Sequence, residues 1–173
     1  MFSFYKKDKI QNLLYSKFVL LSRNSLFYKN LNLADTFQNR INLIFLHSSF
    51  IFIKIKNEKE KLAFKDFYQP MFDLTFRNIE LNMREIGYGD VSVNKNMKIL
   101  VKSFYNILLD CENFNKKSMN VLESFFNTYL DKKDNKENLN ITGLIDYFSK
   151  YEAFCFDLGS DSVLKGDLNF NYK

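Results

Sequence analysis

The residue types that could recognise another molecule concentrate in one short segment, LNMREIGYGDVSVNK, residues 81–95. It places Arg84 beside Glu85, spaces two of the chain's five glycines around Tyr88, and continues with Asp90. Opposite charges beside an accessible aromatic ring can bind a partner protein, and glycines supply the backbone freedom of a tight turn. We therefore interpret the segment as a turn between two helices and as a candidate partner-binding surface.

Local folding explains the glycines of this segment and the residues that follow them. Gly87 comes after a helical pattern, at the position where a residue with a positive φ angle ends many helices. Gly89 is expected to complete the turn. Asp90 or Ser92 is predicted to cap the next helix, because short oxygen-bearing side chains accept hydrogen bonds from its free amide groups. For Asp90, a contact with a partner is the alternative.

Local folding explains Glu85 and Tyr88 less well. Arg84 in the last turn of a helix complements the negative end of the helix dipole, whereas Glu85 opposes it and needs a partner. We predict an ion pair within the chain, with Arg40 or a lysine, and a contact with another protein is the alternative. Tyr88 lies between two glycines and is expected to be an exposed binding anchor.

A second group of candidate residues precedes the most apolar segment of the chain. Asp35 and Thr36 are candidate N-caps, and Gln38 follows Asp35 at the spacing of a capping box. Arg40 is the residue named above as a possible partner of Glu85. For Asp35, Thr36 and Arg40 we predict a structural role first and a contact with a partner as the alternative.

The residues needed for catalysis or metal binding are too few. His47 is the single histidine and lies in an apolar segment, which indicates a core residue. Cys111 and Cys155 also lie in apolar segments without CxxC spacing, so we predict buried, reduced thiols. Residues 87–89 lack the third glycine of a dinucleotide-binding loop, and residues 131–138 lack the glycine of an EF-hand. We predict no catalytic residue, no metal site and no bound cofactor.

The elements that position these residues are predicted to be helices. The chain has 20 Phe and 10 Tyr but only one Pro and five Gly, too few turn residues for a β-sandwich. Apolar residues recur at helical spacing over residues 8–22, 25–28, 36–55, 62–86, 90–109, 117–131 and 140–157. Pro70 is expected to kink or restart the fourth of these. We predict one all-α domain, a bundle of about six to seven helices over residues 1–158, with a polar, mobile C-terminal tail over residues 159–173.

Charge and hydropathy favour a soluble or peripheral protein with anionic partners. The formal net charge is +5 and the pI is about 9.0, but basic and acidic residues alternate along the chain. The most apolar stretch, residues 41–55, contains Asn42, His47 and Lys54 and is shorter than the roughly 20 residues of a membrane span. The first 22 residues show neither a signal peptide nor a mitochondrial presequence.

Two stretches read together resemble the ubiquinol–cytochrome c chaperone family. The first is LLSRNSLFYKNLNLADTFQNRINLIFLH, residues 20–47, and it carries in the family's order Arg23, Phe27-Tyr28, Asp35-Thr36, Arg40 and Leu46-His47. The second, residues 71–107, contains MREIGYGD where the family has a similar Arg-Glu and Gly-x-Gly-Asp pattern. Ala34 stands where the family has a turn proline, and Asn106-Ile107 where it has Gly-Arg. The similarity spans most of residues 10–130.

This resemblance implies a non-enzymatic chaperone that binds newly made cytochrome b and supports assembly of the cytochrome bc complex, respiratory complex III. The haem would belong to the client, so no cofactor of the chaperone is implied. Mitochondrial members work with a small partner protein and associate with the ribosome. Without a presequence, the chain is similar to a bacterial member that is cytoplasmic or peripheral on the inner face of the membrane. The small partner stays unspecified, and DNA is not an expected partner.

The net positive charge is also compatible with a different class of function, binding to an anionic partner as an adaptor. A helical adaptor could bind RNA, a ribosome or the membrane surface through diffuse basic charge. In the membrane version of this alternative, the amphipathic helix within residues 1–22 is the element expected to lie on the lipid.

Overall fold

A computed structural model gives the backbone of residues 2–57, 61–133, 137–159, 162–163 and 165–172, with the side chains of residues 2–9 and 61–65 left out. Its helices are α1 (Phe2–Ser22), α2 (Ser25–Lys29), α3 (Phe37–Lys56), α4 (Lys61–Glu85), α5 (Asp90–Asp110), a 3₁₀ turn (Phe114–Lys116), α6 (Met119–Tyr129) and α7 (Ile141–Asp157). The described residues contain no β-strand, only an isolated bridge between Leu33 and Lys132. The prediction of an all-α helical bundle is confirmed.

Helix α3 lies at the centre of the bundle and contacts α1, α4, α5 and α7. All but one of its residues from Ile41 to Ile55 are buried, because apolar side chains occur on every face of the helix. Aromatic rings fill the space around it. The ring of Phe45, for example, lies 5.5 Å from that of Phe76 on α4 and 5.3 Å from that of Phe104 on α5. Helix α4 passes through Pro70 as one helix, so the predicted alternative in which the helix restarts there is wrong.

His47 is a fully buried core residue, as its apolar surroundings predicted. Its Nδ1 lies 2.6 Å from the carbonyl oxygen of Leu43, and its Nε2 lies 2.9 Å from the hydroxyl of Tyr147. A carbonyl oxygen can only accept, so Nδ1 carries the proton and Nε2 accepts from the tyrosine. Burial lowers the pKa of His47 from 6.5 to about 4, which keeps the ring neutral at physiological pH.

The loops before α3 and after α6 are joined by a buried asparagine. Asn39 is completely buried, and its side-chain nitrogen donates to the carbonyl oxygens of Ala34 and Asp131, both at 2.8 Å. Its side-chain oxygen accepts from the backbone N–H of Asp131, also at 2.8 Å. The Leu33–Lys132 bridge lies beside these bonds in sequence. The first turn of α3 is therefore fixed to the end of α6, which orients the residues that precede it.

The described part of the C-terminal segment packs on the bundle. Leu168 is buried, and the ring of Phe170 lies 5.5 Å from that of Tyr147 on α7. The hydroxyl of Tyr172 donates to Asp146 on α7 at 2.6 Å. This packing differs from the polar, mobile tail predicted over residues 159–173. The buried side chains there are few and most of the described segment is not helical, so they produce no helical periodicity in the sequence.

Candidate functional site

The turn between α4 and α5 is closed by a Schellman motif. Gly87 has a φ of 97°, and its N–H donates to the carbonyl oxygen of Arg84 at 3.0 Å. The N–H of Tyr88 donates to the carbonyl oxygen of Met83 at 3.0 Å. These two bonds satisfy carbonyl groups that the end of a helix leaves free. The prediction of Gly87 as the residue that ends α4 is confirmed.

The start of α5 differs from the prediction. The N-cap residue is Gly89, with a φ of −72°, and no side chain caps the helix. Asp90 is instead the first residue of α5, and Ser92 accepts a hydrogen bond from Asn96 one turn later at 3.3 Å. The prediction that Asp90 or Ser92 is the N-cap is therefore wrong. Asp90 is drawn into the first turn because its carboxylate is favoured beside the helix N-terminus and pairs with Arg84.

Arg84 connects the two helices across the turn. Its Nη2 lies 2.9 Å from Oε1 of Glu80, one helical turn earlier on α4, and its Nη1 donates to Oδ1 of Asp90 on α5. The two carboxylates raise the pKa of Arg84, which is a permanent cation in any case. All three side chains are accessible to solvent. The structure thus pairs Arg84 within the chain and leaves Glu85 outside this network.

Asp35 and Arg40 form a second ion pair at the start of α3. Two parallel bonds join them, from Nε at 2.7 Å and from Nη2 at 2.9 Å. The Arg40 guanidinium lies 5.9 Å from the ring centre of Tyr28 and, by hydrogen bonding, lowers the pKa of Asp35. Thr36 is the N-cap of α3, and its hydroxyl oxygen accepts from the N–H of Asn39 at 3.2 Å. The cap prediction is confirmed for Thr36 rather than for Asp35.

A shallow groove brings the two groups of candidate residues together. It measures about 190 Å³ and lies between the end of α1, the start of α3 and the end of α4. Arg40 and Glu85 both line it, but Arg40 binds Asp35, and no described residue pairs with Glu85. The predicted Arg40–Glu85 ion pair is therefore absent among the described residues. Glu85 is therefore a carboxylate without a partner among the described residues, at the edge of a partly apolar groove.

The residues around Glu85 form an accessible apolar surface. Ile86 is 56% exposed, Tyr88 is 39% exposed and Val91 is 85% exposed. A Cβ atom added at Gly87 or Gly89 would meet no atom within 4 Å, so the turn projects into open space. We refer to residues 83–91, with Glu85 and these apolar side chains, as the α4–α5 corner. Such a combination of aromatic, aliphatic and charged groups suits the binding of a protein segment.

Sequence reasoning missed a second concave site, at the other end of α3. A cavity of about 540 Å³ lies between the end of α3, the 3₁₀ turn and α7, and it is lined in part by Lys56, Glu112 and Glu152. Glu152 is 8% exposed, and its Oε2 has no hydrogen-bond partner. Burial raises the pKa of this carboxyl group, and hydrogen bonds from Asn115 reduce that effect. Only the packing of α7 on the 3₁₀ turn creates this environment, so no local sequence signal marks it.

Groups that could perform redox or metal chemistry are not assembled in the described part of the chain. No cluster of three or more His, Cys, Asp or Glu side chains is placed there to hold a metal ion. Cys111 and Cys155 are free and buried, and burial raises the pKa of both thiols. Within the same residues, no helix combines the length and apolar character needed to cross a bilayer.

The fold and the accessible corner define an all-α protein whose candidate site is a protein-binding surface. The profile of the ubiquinol–cytochrome c chaperone family matches residues 29–170. The chain belongs to this family, which has a chaperone role in the assembly of respiratory complex III.

Comparison with solved structures supports the fold. The crystal structure of the Cbp3 homolog from Brucella abortus superposes with a TM-score of 0.81 at 20% sequence identity, covering 98% of this chain and 93% of that chain. At this level of identity the similarity concerns the fold. No curated protein matches the chain at significant similarity.

Proposed function

We propose that this protein is a non-enzymatic chaperone that binds newly made cytochrome b during assembly of the cytochrome bc complex. The observation that carries the proposal is the α4–α5 corner, where Glu85 has no partner among the described residues and Tyr88 lies accessible at the tip. An unpaired carboxylate beside exposed apolar side chains has no evident role in stability. It suits a client segment with a basic residue near apolar ones.

Cytochrome b is a membrane protein, so the proposed place of work is the cytoplasmic face of the bacterial membrane that receives it. The client would supply the haem, and the chaperone would need no cofactor of its own. The proposal does not specify a small partner protein of the kind that mitochondrial relatives use. The chaperone acts by covering client surface until further subunits arrive.

Photo-crosslinking in cells tests the client directly. A photoreactive phenylalanine at Tyr88 is expected to capture cytochrome b, because the ring projects from an open turn. The matched control is the same residue at Lys116, which is also exposed but lies in the 3₁₀ turn near the opposite end of α3. Equal capture of cytochrome b at both positions, or none at Tyr88, would contradict the proposal.

Deletion of the gene tests the assembly role. The amount of assembled cytochrome bc complex is expected to fall while the cytochrome b transcript stays constant. Complementation with Glu85→Gln combined with Tyr88→Ser is expected to restore the folded chaperone but little of the complex. Lys116→Gln is expected to restore both. Normal complex levels in the deletion strain would reject the assembly role.

A further inference from the structure

The outward face of α5 carries basic and apolar side chains in one regular row. Six exposed residues follow one another at spacings of four, three, four, three and four positions, which places them on one face of the helix: Val91, Lys95, Lys98, Lys102, Tyr105 and Leu109. We call this row the α5 stripe. It spans about 27 Å at 1.5 Å per residue.

Among the described residues, no ion pair neutralises the positive charge of the stripe. Residues 91–109 contain three lysines and no Asp or Glu. No described residue forms an ion pair with Lys95, Lys98 or Lys102. The acidic residues at the two ends of α5 are both engaged elsewhere, Asp90 by Arg84 and Asp110 by the hydroxyl of Tyr129 at 3.1 Å.

The apolar members of the stripe are unusually accessible. Val91 is 85% exposed and Leu109 is 63% exposed, and Ile99, beside the stripe, is 56% exposed. The opposite face of α5 is well packed, with Leu100, Phe104 and other side chains buried against α3 and α4. The exposed aliphatic side chains are therefore not needed to form the core.

We propose that the α5 stripe is a docking surface for an anionic lipid bilayer. Three lysines that form no ion pair with a described residue are complementary to lipid phosphates, and aliphatic side chains between them can enter the region between headgroups and acyl chains. A nucleic acid would use the lysines but would gain little from Val91, Ile99 and Leu109. The proposal assigns membrane binding to α5, whereas the sequence had suggested that the helix within residues 1–22 binds the lipid.

The stripe meets the α4–α5 corner at Val91, so one end of the lipid-binding face adjoins the proposed client site. A client that emerges at the membrane would then be bound by a chaperone already lying on the same lipid. This part of the inference rests on the proposed function. The docking itself does not, because it can be measured without any client.

Vesicle flotation of the full chain tests the docking. The probes are vesicles of phosphatidylcholine alone and vesicles with about one-third phosphatidylglycerol. Binding to the anionic vesicles is expected, with a sharp decrease as salt screens the charges. Lys95→Gln, Lys98→Gln and Lys102→Gln together are expected to lower the partition coefficient about 100-fold, from about 1 kcal/mol for each lysine at an anionic surface.

A charge-matched control separates the stripe from diffuse positive charge. Lys29→Gln, Lys133→Gln and Lys165→Gln remove the same charge from exposed positions on other elements. This triple variant is expected to float like the parent protein. An equal loss of binding in both triple variants would overturn the proposal in favour of diffuse charge.

A second variant tests the apolar part of the stripe. Val91→Ser, Ile99→Ser and Leu109→Ser together are expected to weaken vesicle binding about tenfold even at moderate salt, since they remove the inserted groups. All variants are checked for an unchanged helical spectrum and melting temperature, and the single change Lys98→Gln replaces the lysine triple if that variant does not fold.

The remaining outcomes also decide the question. The proposal would be overturned if the triple lysine variant floated with the vesicles as well as the parent protein does. It would also be overturned if this variant lost RNA binding in a gel-shift assay but kept its vesicle binding. Crosslinking of cytochrome b at Tyr88 is scored separately in the same variants. Vesicle binding without any crosslink to cytochrome b would contradict the proposed function and support the docking surface. A crosslink to cytochrome b without vesicle binding would support the proposed function and contradict the docking surface.

Discussion

Replacing His47 tests how the centre of the bundle depends on pH. The imidazole ring is completely buried, and burial lowers its pKa from 6.5 to about 4. Above pH 6.5 the ring is neutral in both the folded and the unfolded chain, so its titration does not affect stability there. As the pH falls below 6.5, the unfolded chain takes up a proton and the folded chain does not. The free energy of unfolding therefore decreases until the folded pKa is reached.

The size of this effect follows from the difference between the two pKa values. Each unit of difference corresponds to about 1.4 kcal/mol, so the full loss between pH 6.5 and pH 4 is about 3 kcal/mol. Between pH 7 and pH 5, where most carboxyl groups have not yet titrated, the expected loss is about 2 kcal/mol.

Urea unfolding at pH 7 and at pH 5 measures this loss. His47→Gln is expected to be less stable than the parent protein at pH 7, since it cannot reproduce both hydrogen bonds of the ring. Its free energy of unfolding is expected to change about 2 kcal/mol less between the two pH values than that of the parent. If the two proteins lose stability equally, the ring is not a buried neutral group, and the reasoning fails.

Three further substitutions probe features around the candidate sites. Glu152→Gln is expected to raise the melting temperature at pH 7, because burial disfavours the ionised carboxylate. The gain should shrink as the pH falls through the raised folded pKa and disappear below 4.5, the ordinary pKa, where the wild-type group is neutral in both states; a lower melting temperature at pH 7 would contradict this. Gly87→Ala is expected to lower the free energy of unfolding by about 1–2 kcal/mol, because the φ of 97° suits only glycine. The control Gly89→Ala, at a φ of −72°, is expected to change the free energy of unfolding little; equal effects of the two substitutions would argue against the Schellman turn. Asn39→Ala is expected to lower the free energy of unfolding in urea by about 2–3 kcal/mol, because it removes the three hydrogen bonds that the buried Asn39 side chain makes to the backbone of Ala34 and Asp131. Gln38→Ala is the exposed control on the same helix.

Features that depend on neighbouring residues along the chain were predictable. The helical periods marked every helix, although α1 begins at Phe2 rather than near residue 8. The N-cap role of Thr36 and the end of α4 at Gly87 follow from side-chain oxygens and φ angles within one turn. These signals are local, so the sequence carries them directly.

Features that depend on which helices meet were not predictable. Glu85 and Arg40 line one groove, yet Arg40 pairs with Asp35, because a bidentate partner five residues away was already in reach. Leu109 belongs to the apolar pattern over residues 90–109 but is 63% exposed. When apolar residues occur on more than one face of a helix, the sequence pattern does not indicate which face packs against the rest of the bundle.

The hydrogen bonds of His47 connect the centre of the bundle to the last helix of the chain. Its partner Tyr147 lies 100 residues further on, and Tyr151 donates to the His47 carbonyl oxygen at 3.2 Å. During synthesis on the ribosome, α3 is therefore complete before α7 emerges. Until then, the apolar surface of α3 and the His47 ring lack their contacts with α7. Closure of the fold is a late event set by the arrival of α7. The chaperone itself thus passes through a period in which its own core is open to unwanted association.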